Sequence, residues 1–154
     1  MDLLQEAEAL RKVPMFAKLE PSKLKLLAFT SEYQTFEDGE VLMRAGDPAD
    51  CAFVIMSGEV EILAKTDAGD VVVGVLRDTQ IFGELALLNN APRLSTLRAK
   101  NRLQVLRITD EVFLKLVTEN PEVALDLMHQ LSDKLARSHQ QVEALQSELH
   151  RNGS

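Results

Sequence analysis

The stretch FGELALLNNAPRLSTLRA, Phe82 to Ala99, decides how the rest of the chain is read. It is mostly apolar, yet it carries one carboxylate, Glu84, after a glycine, and one guanidinium, Arg93, after a proline, ahead of the ordinary surface residue Arg98. The tract reads as a strand end, Gly83, and then a short helix that begins at Glu84. Glycine allows close approach to its backbone. The first turn of a helix offers unpaired N–H groups and positive potential, and an acid placed there can simply complement the helix dipole. Pro92 stiffens the approach to Arg93, which opens a strand expected to be half buried. A buried arginine is rare unless paired. Two readings follow. Glu84 and Arg93 form an ion pair that ties down a loop, or the ends of a polar ligand claim one each. In the second case, helix N–H groups and the arginine fork hold a phosphate, and the carboxylate accepts from sugar hydroxyls. Spacing alone does not choose between them.

Outward from this tract the period is two. Short strands are expected at Glu32–Phe36, Val41–Arg44, Ala52–Met56, Glu59–Lys65, Val71–Leu76, Gln80–Phe82, Leu94–Ala99 and Gln104–Thr109. EDGE, AGDPAD, SGE and DAGD supply turns between them. In EVEILAK the acids alternate with Val60, Ile62 and Ala64, so one face is wet and the other buried. Many short, closely spaced strands indicate a β-sandwich or a β-roll.

Residues 1–30 read as a helical lead-in. Leu3, Leu4, Ala7 and Leu10 recur at helical spacing, Pro14 breaks the pattern, and Pro21 suits a first helical turn. The strands occupy 31–109. From Asp110 the period is helical again, with Thr109 or Asp110 as a cap, and Pro121 starts a helix that runs to about His150. Along it Leu131, Leu135, Ser138, Val142, Leu145 and Leu149 alternate by four and three, a heptad seam suited to covering the roll and to pairing with a second copy. The expected class is mainly β with flanking helices, one domain overall.

With 154 residues, the chain suits one domain with an ordinary core. Its net charge of −7 argues against nucleic acid and anionic membranes as direct partners. Cys51 is the one cysteine, which removes an intrachain disulfide and multi-cysteine metal sites and reads as a small buried apolar residue. An acidic N-terminus without an apolar run, and no stretch long enough to span a bilayer, lead to the expectation of a cytoplasmic protein.

The tract Phe82–Ala99 resembles the phosphate-binding cassette of the cyclic-nucleotide-binding domain family, whose members include the catabolite activator protein and the regulatory subunits of cyclic-AMP-dependent kinase. FEDGEVLMRAGDPADCAFVIMSGEVEIL resembles the family's first barrel half, with Gly39, Gly46, Asp47, Phe53, Ile55 and Gly58 in pattern. VPMFAKLEPSKLKLLA is similar to its helical lead-in and NPEVALDLMHQLSDKLA to its hinge and long helix. The resemblance covers about residues 10 to 145. It implies a jelly-roll-like β-roll (a double-stranded β-helix) with the cassette at 82–96, and a ligand that is cyclic AMP or cyclic GMP. It further implies that Glu84 accepts from the ribose 2′-hydroxyl and that Arg93 binds the exocyclic phosphate oxygens. Gly83, Leu85, Leu94 and Ser95 assist around the phosphate, Val73 and Leu76 line the purine pocket, and Ser138 and His139 cap the base. One departure stands out: where the family carries a small or hydroxylic residue after the arginine, this chain has Leu94. A threonine there accompanies cyclic-GMP preference, so the resemblance leans toward cyclic AMP.

Other chemistries find little support. A cupin-like metal barrel needs histidines among the strands, but His129, His139 and His150 all fall on the C-terminal helix. No serine, histidine and acid arrangement has a catalytic context. The expectation is a non-enzymatic sensor: a homodimer through its last helix, with a partner protein as a possible output. A ligand-free scaffold used for assembly is the alternative.

Overall fold

The computed structural model describes residues 2–77 and 79–152. Helix α1 spans Leu3–Arg11 and starts with a capping box: the Asp2 carboxylate accepts from the Gln5 backbone while the Gln5 side chain answers the Asp2 N–H. A 3-10 turn at Pro14–Phe16 follows, then α2 at Pro21–Thr30, with proline at its first position as expected.

The strands are β1 Glu32–Phe36, β2 Val41–Met43, β3 Cys51–Ser57, β4 Val60–Thr66, β5 Gly69–Leu76, β6 Ile81–Phe82, β7 Thr96–Ala99 and β8 Leu103–Thr109. Between β6 and β7 lies α3, Glu84–Leu88, and after β8 come α4, Asp110–Glu119, and α5, Pro121–Asn152. Among the described residues the strands form two antiparallel four-stranded sheets, ordered β1-β8-β3-β6 and β2-β7-β4-β5. Apart from the β4–β5 hairpin, which stays within one sheet, successive strands alternate between layers, and the β-roll follows.

Strand β3 shows why its sequence is a continuous apolar run. Cys51, Phe53 and Ile55 point between the sheets, where they meet Met43, Val60, Leu97 and Val105. Ala52 and Val54 point to the opposite face, against a second core built from Leu10, Phe16, Leu24, Phe113, Val123 and Leu127 of the helices. A strand buried on both faces has no wet side to alternate with. Phe53 stacks on Phe82 across the β3–β6 pair, with ring centroids 5.1 Å apart. Phe16 and Phe113 are fully buried, and truncation of either to alanine would cost about 3–5 kcal/mol. Inside the roll, β6 delivers the chain directly to Gly83 and α3.

Helix α4 is capped by Thr109, whose hydroxyl accepts from the Val112 backbone. It ends at Asn120, a buried side chain that donates to the Leu116 carbonyl at 2.8 Å and accepts from the Lys23 ammonium at 2.6 Å. Helix α2 is thereby fastened to the corner where α5 begins. Leu131 packs against the helical core. Farther along the same stripe, Leu135, Val142, Leu145 and Leu149 are exposed. No helix is long and apolar enough to cross a membrane.

Candidate functional site

The cassette is built by its helix ends. Gly83 precedes α3 in a left-handed conformation, φ +82°. Its Cα–H also faces the Arg93 guanidinium: a Cβ here would lie 2.6 Å from Nη1. Both the backbone angle and the close approach require glycine, and the group that approaches is the protein's own arginine. At the other end, Asn90 adopts φ +48°. The Ala91 N–H then donates to the Ala86 carbonyl at 2.9 Å, and the Asn90 N–H to the Leu87 carbonyl at 3.3 Å. This is a Schellman ending, with asparagine in place of the usual glycine. The helix is held to a single short turn, and the chain is sent back toward Pro92.

Arg93 is pinned through its backbone first. Its N–H donates to the Asp47 carbonyl and its own carbonyl accepts from Gly46, both at 2.8 Å. The Asp47 carboxylate in turn accepts from the Arg44 backbone at 3.1 Å and folds that loop. These bonds to the β2–β3 loop keep Arg93 and Leu94 out of the sheet, so β7 starts at Thr96, two residues later than the pattern suggested. The Arg93 side chain runs inward. Nη1 donates to the Gly83 carbonyl at 3.0 Å, and Nη2 donates to the Cys51 carbonyl at 2.7 Å and to Cys51 Sγ at 3.4 Å.

Arg93 is only 6% exposed. Among the described residues no carboxylate pairs with it. Nor does Cys51 supply a negative charge. Burial pushes its thiol above the ordinary range, outweighing the pull of Arg107 and Arg93 in the other direction. Carbonyl dipoles orient the guanidinium without neutralising it, and Nε makes no hydrogen bond to a described residue. Buried charges are ordinarily paired, so the arrangement suits an incoming anion.

Glu84, the first residue of α3, is equally buried, at 2%. Its partner is the Lys134 ammonium of α5, 3.3 Å from Oε1. The loop-tying ion pair that spacing left open is therefore not formed: Glu84 and Arg93 have separate partners.

Both charges open onto a cavity of about 450 Å³, bounded by the cassette, by Ile62, Val75, Leu76 and Leu97 of the roll, and by one face of α5. Gly83, Glu84, Leu85, Arg93, Leu94 and Ser95, all expected from the sequence, line it, as do Leu76 and Ser138. Val73 and His139 do not. Opposite Val73 the β4–β5 register passes from Ile62↔Gly74 to Leu63↔Val72, which leaves Val73 as the extra residue of a bulge. Its side chain is 63% exposed, and Val75 stands at the cavity in its stead. His139 is one position past Ser138, about 100° around the helix. It faces solvent and lies 3.0 Å from Glu143. Lys134, Arg137 and Gln141 also line the cavity and were missed. With Ser138 they recur at i, i+3, i+4 and i+7, one face of α5, so the spacing was available as a signal. The cavity holds three cations against one carboxylate in a chain of net charge −7.

The sequence profile described as Cyclic nucleotide-binding domain matches residues 33–120. A cAMP-dependent protein kinase regulatory subunit from Mycosarcoma maydis is 33% identical over 113 residues, which is 70% of this chain and 22% of that protein. The chain spans about a quarter of the length of the curated relatives that resemble it in this way. Among solved structures, the regulatory domain of Toxoplasma gondii PKA in co-crystal with cAMP superimposes with a TM-score of 0.64 at 29% identity, covering 72% of this chain and 42% of that one. The sensor domain of the transcriptional regulator DNR from Pseudomonas aeruginosa gives 0.76 at 25% identity, covering 92% and 93%. The profile match spans more than half of the chain and includes β3, α3 and Arg93, and on that ground the chain belongs to the cyclic nucleotide-binding domain family.

Proposed function

We propose that the protein is a sensor module that binds cyclic AMP in the cavity between the cassette and α5 and reports binding through that helix. The observation that carries this reading is Arg93: a buried guanidinium, oriented by two carbonyls, without a carboxylate partner among the described residues, at the wall of a cavity. A cyclic phosphate is a monoanion that supplies the missing charge. Glu84 accepts from the ribose 2′-hydroxyl. Backbone N–H groups around Gly83, Leu85, Leu94 and Ser95 assist at the phosphate, and Leu76 and Ser138 face the purine. The cavity has the size range of small-molecule sites, about 300–1,000 Å³. Relatives bearing the cAMP-dependent kinase name, and the Toxoplasma domain crystallised with cAMP, support this nucleotide over others.

Because α5 forms one wall of the cavity, ligand binding and helix position are linked. The ligand moves the helix only by the difference between its affinities for the two positions. The exposed stripe Leu135, Val142, Leu145 and Leu149 is assigned to pairing with a second copy, and output passes to a partner protein. The alternative, a scaffold in which Glu84 and Arg93 neutralise each other and Leu94 fills the pocket, has two observations against it: the two charges have different partners, and an open cavity remains beside Leu94.

Thermal unfolding with and without cyclic AMP tests the reading. At a hundredfold excess over Kd a ligand specific for the folded state adds about 2.7 kcal/mol, which for a chain of this size raises Tm by roughly 5 °C or more. A midpoint that stays put at millimolar nucleotide counts against it.

A further inference from the structure

We propose that the Cys51 thiol tunes phosphate affinity: its sulfur is a weak acceptor that holds one donor of Arg93 and yields it to the incoming anion. The inference rests on the cyclic-nucleotide reading above, in which Arg93 meets the phosphate. Cys51 opens β3, is buried, and presents two acceptors to a single nitrogen. Its carbonyl oxygen lies 2.7 Å from Nη2 of Arg93, and its Sγ lies 3.4 Å from the same atom.

The shape of a guanidinium makes that nitrogen decisive. Its donors form a fixed planar fork. An anion gains a two-point hold along one of two edges, Nε with Nη2 or Nη1 with Nη2, and both edges need a hydrogen of Nη2. That atom carries two hydrogens and has two acceptors, both on Cys51. Nη1 spends one hydrogen on the Gly83 carbonyl. A phosphate that takes two donors therefore displaces one of the Cys51 contacts. The carbonyl contact is short and made to a good acceptor. The sulfur contact is longer, and thiol sulfur accepts weakly. Burial keeps the thiol protonated, so no ionic attraction strengthens it. The sulfur is the contact that gives way, while the carbonyl goes on holding the guanidinium in place. A stronger acceptor at position 51 competes harder for the same hydrogen, and an apolar side chain does not compete at all. Cys51 is thus a positioning residue that acts through Arg93.

Calorimetry with cyclic AMP on this chain tests the idea through two conservative variants. Cys51→Val keeps the volume and has no acceptor, and Cys51→Ser keeps the shape with a stronger one. Valine is expected to tighten binding roughly 2- to 5-fold and serine to weaken it roughly 3- to 10-fold, within the worth of one hydrogen bond to a charged group. The opposite signs are diagnostic, because a merely structural cysteine loses affinity in both variants. The S–H stretching band in Raman spectra reads the wild type directly, whether or not the variants fold, since Cys51 is the one cysteine of the chain. That band is expected to shift when cyclic AMP binds and the sulfur releases its donor. Affinities that fail to move in opposite directions, or a band that stays in place on binding, overturn the proposal and leave the nucleotide site standing. A wild type that does not bind cyclic AMP overturns both.

Discussion

The guanidinium of Arg93 rests against Gly83: Nη1 donates to the Gly83 carbonyl at 3.0 Å, and the space where a glycine Cβ would stand is already taken by the same nitrogen. One residue thus starts α3, orients the Arg93 guanidinium and makes room for it. Gly83→Ala is expected to destabilise the fold by about 1–3 kcal/mol, from a left-handed backbone that alanine resists and from a displaced guanidinium, and to weaken cyclic AMP binding. Gly39→Ala is the control. Its φ is +89°, but nothing lies within 4 Å of the added Cβ, so it carries the backbone cost alone. Urea unfolding of both variants checks this, and equal losses with equal nucleotide affinity would refute the role given to the contact.

Leu94 lines the cavity beside Arg93 and is 67% exposed. A hydroxyl at this position gains a hydrogen bond to the ligand that leucine cannot make. For Leu94→Thr, affinity for cyclic GMP is expected to rise roughly 2- to 10-fold, a net hydrogen bond's worth, with a smaller change for cyclic AMP. Competition binding with both nucleotides reads it out, and an equal response to the two would contradict it.

The Cys51 thiol, raised above its ordinary value near 9.0 by burial, links stability to pH. Its raised value means that the folded protein keeps the proton where the unfolded chain releases it. The associated stability is fully present below the unfolded value and is lost as pH rises toward the folded one. Denaturant unfolding between pH 7 and 10 should show wild type losing stability faster than Cys51→Ala above about pH 9. Tyr33, also raised chiefly by burial, adds a loss of the same sign at higher pH, and it cancels in the comparison. Parallel curves would show that the thiol does not titrate with folding.

The exposed stripe on α5 predicts assembly. Wild type is expected to migrate as a dimer in light-scattering chromatography, and Val142→Glu with Leu145→Glu as a monomer, because like charges enter an apolar seam. A monomeric wild type at high micromolar concentration would remove the dimer from the account.

Much of this was legible beforehand, for definite reasons. β1 was readable to the residue and the other strands to within a few, because their faces differ in wetness. The pairing of Glu84 with a glycine and of Arg93 with a proline marked the cassette. What escaped notice did so through tertiary geometry. Lys134 stands at helical spacing from Ser138, but only the packing of α5 shows that this face meets the cassette and that the lysine pairs with Glu84. The bulge that turns Val73 outward is a register effect between two strands and leaves no mark in VVVGV. The separate partners of Glu84 and Arg93 depend on Cys51 and Lys134, residues 33 and 50 positions from Glu84 in the chain.

The account stands on Arg93 being held for an anionic guest. Isothermal titration of wild type and Arg93→Ala with cyclic AMP and cyclic GMP addresses that directly. Truncating one partner of a desolvated charge pair costs roughly 2–5 kcal/mol, so the variant should bind cyclic AMP on the order of 30- to several-thousand-fold more weakly than a saturable wild type. Indistinguishable affinities in the two proteins would contradict the account.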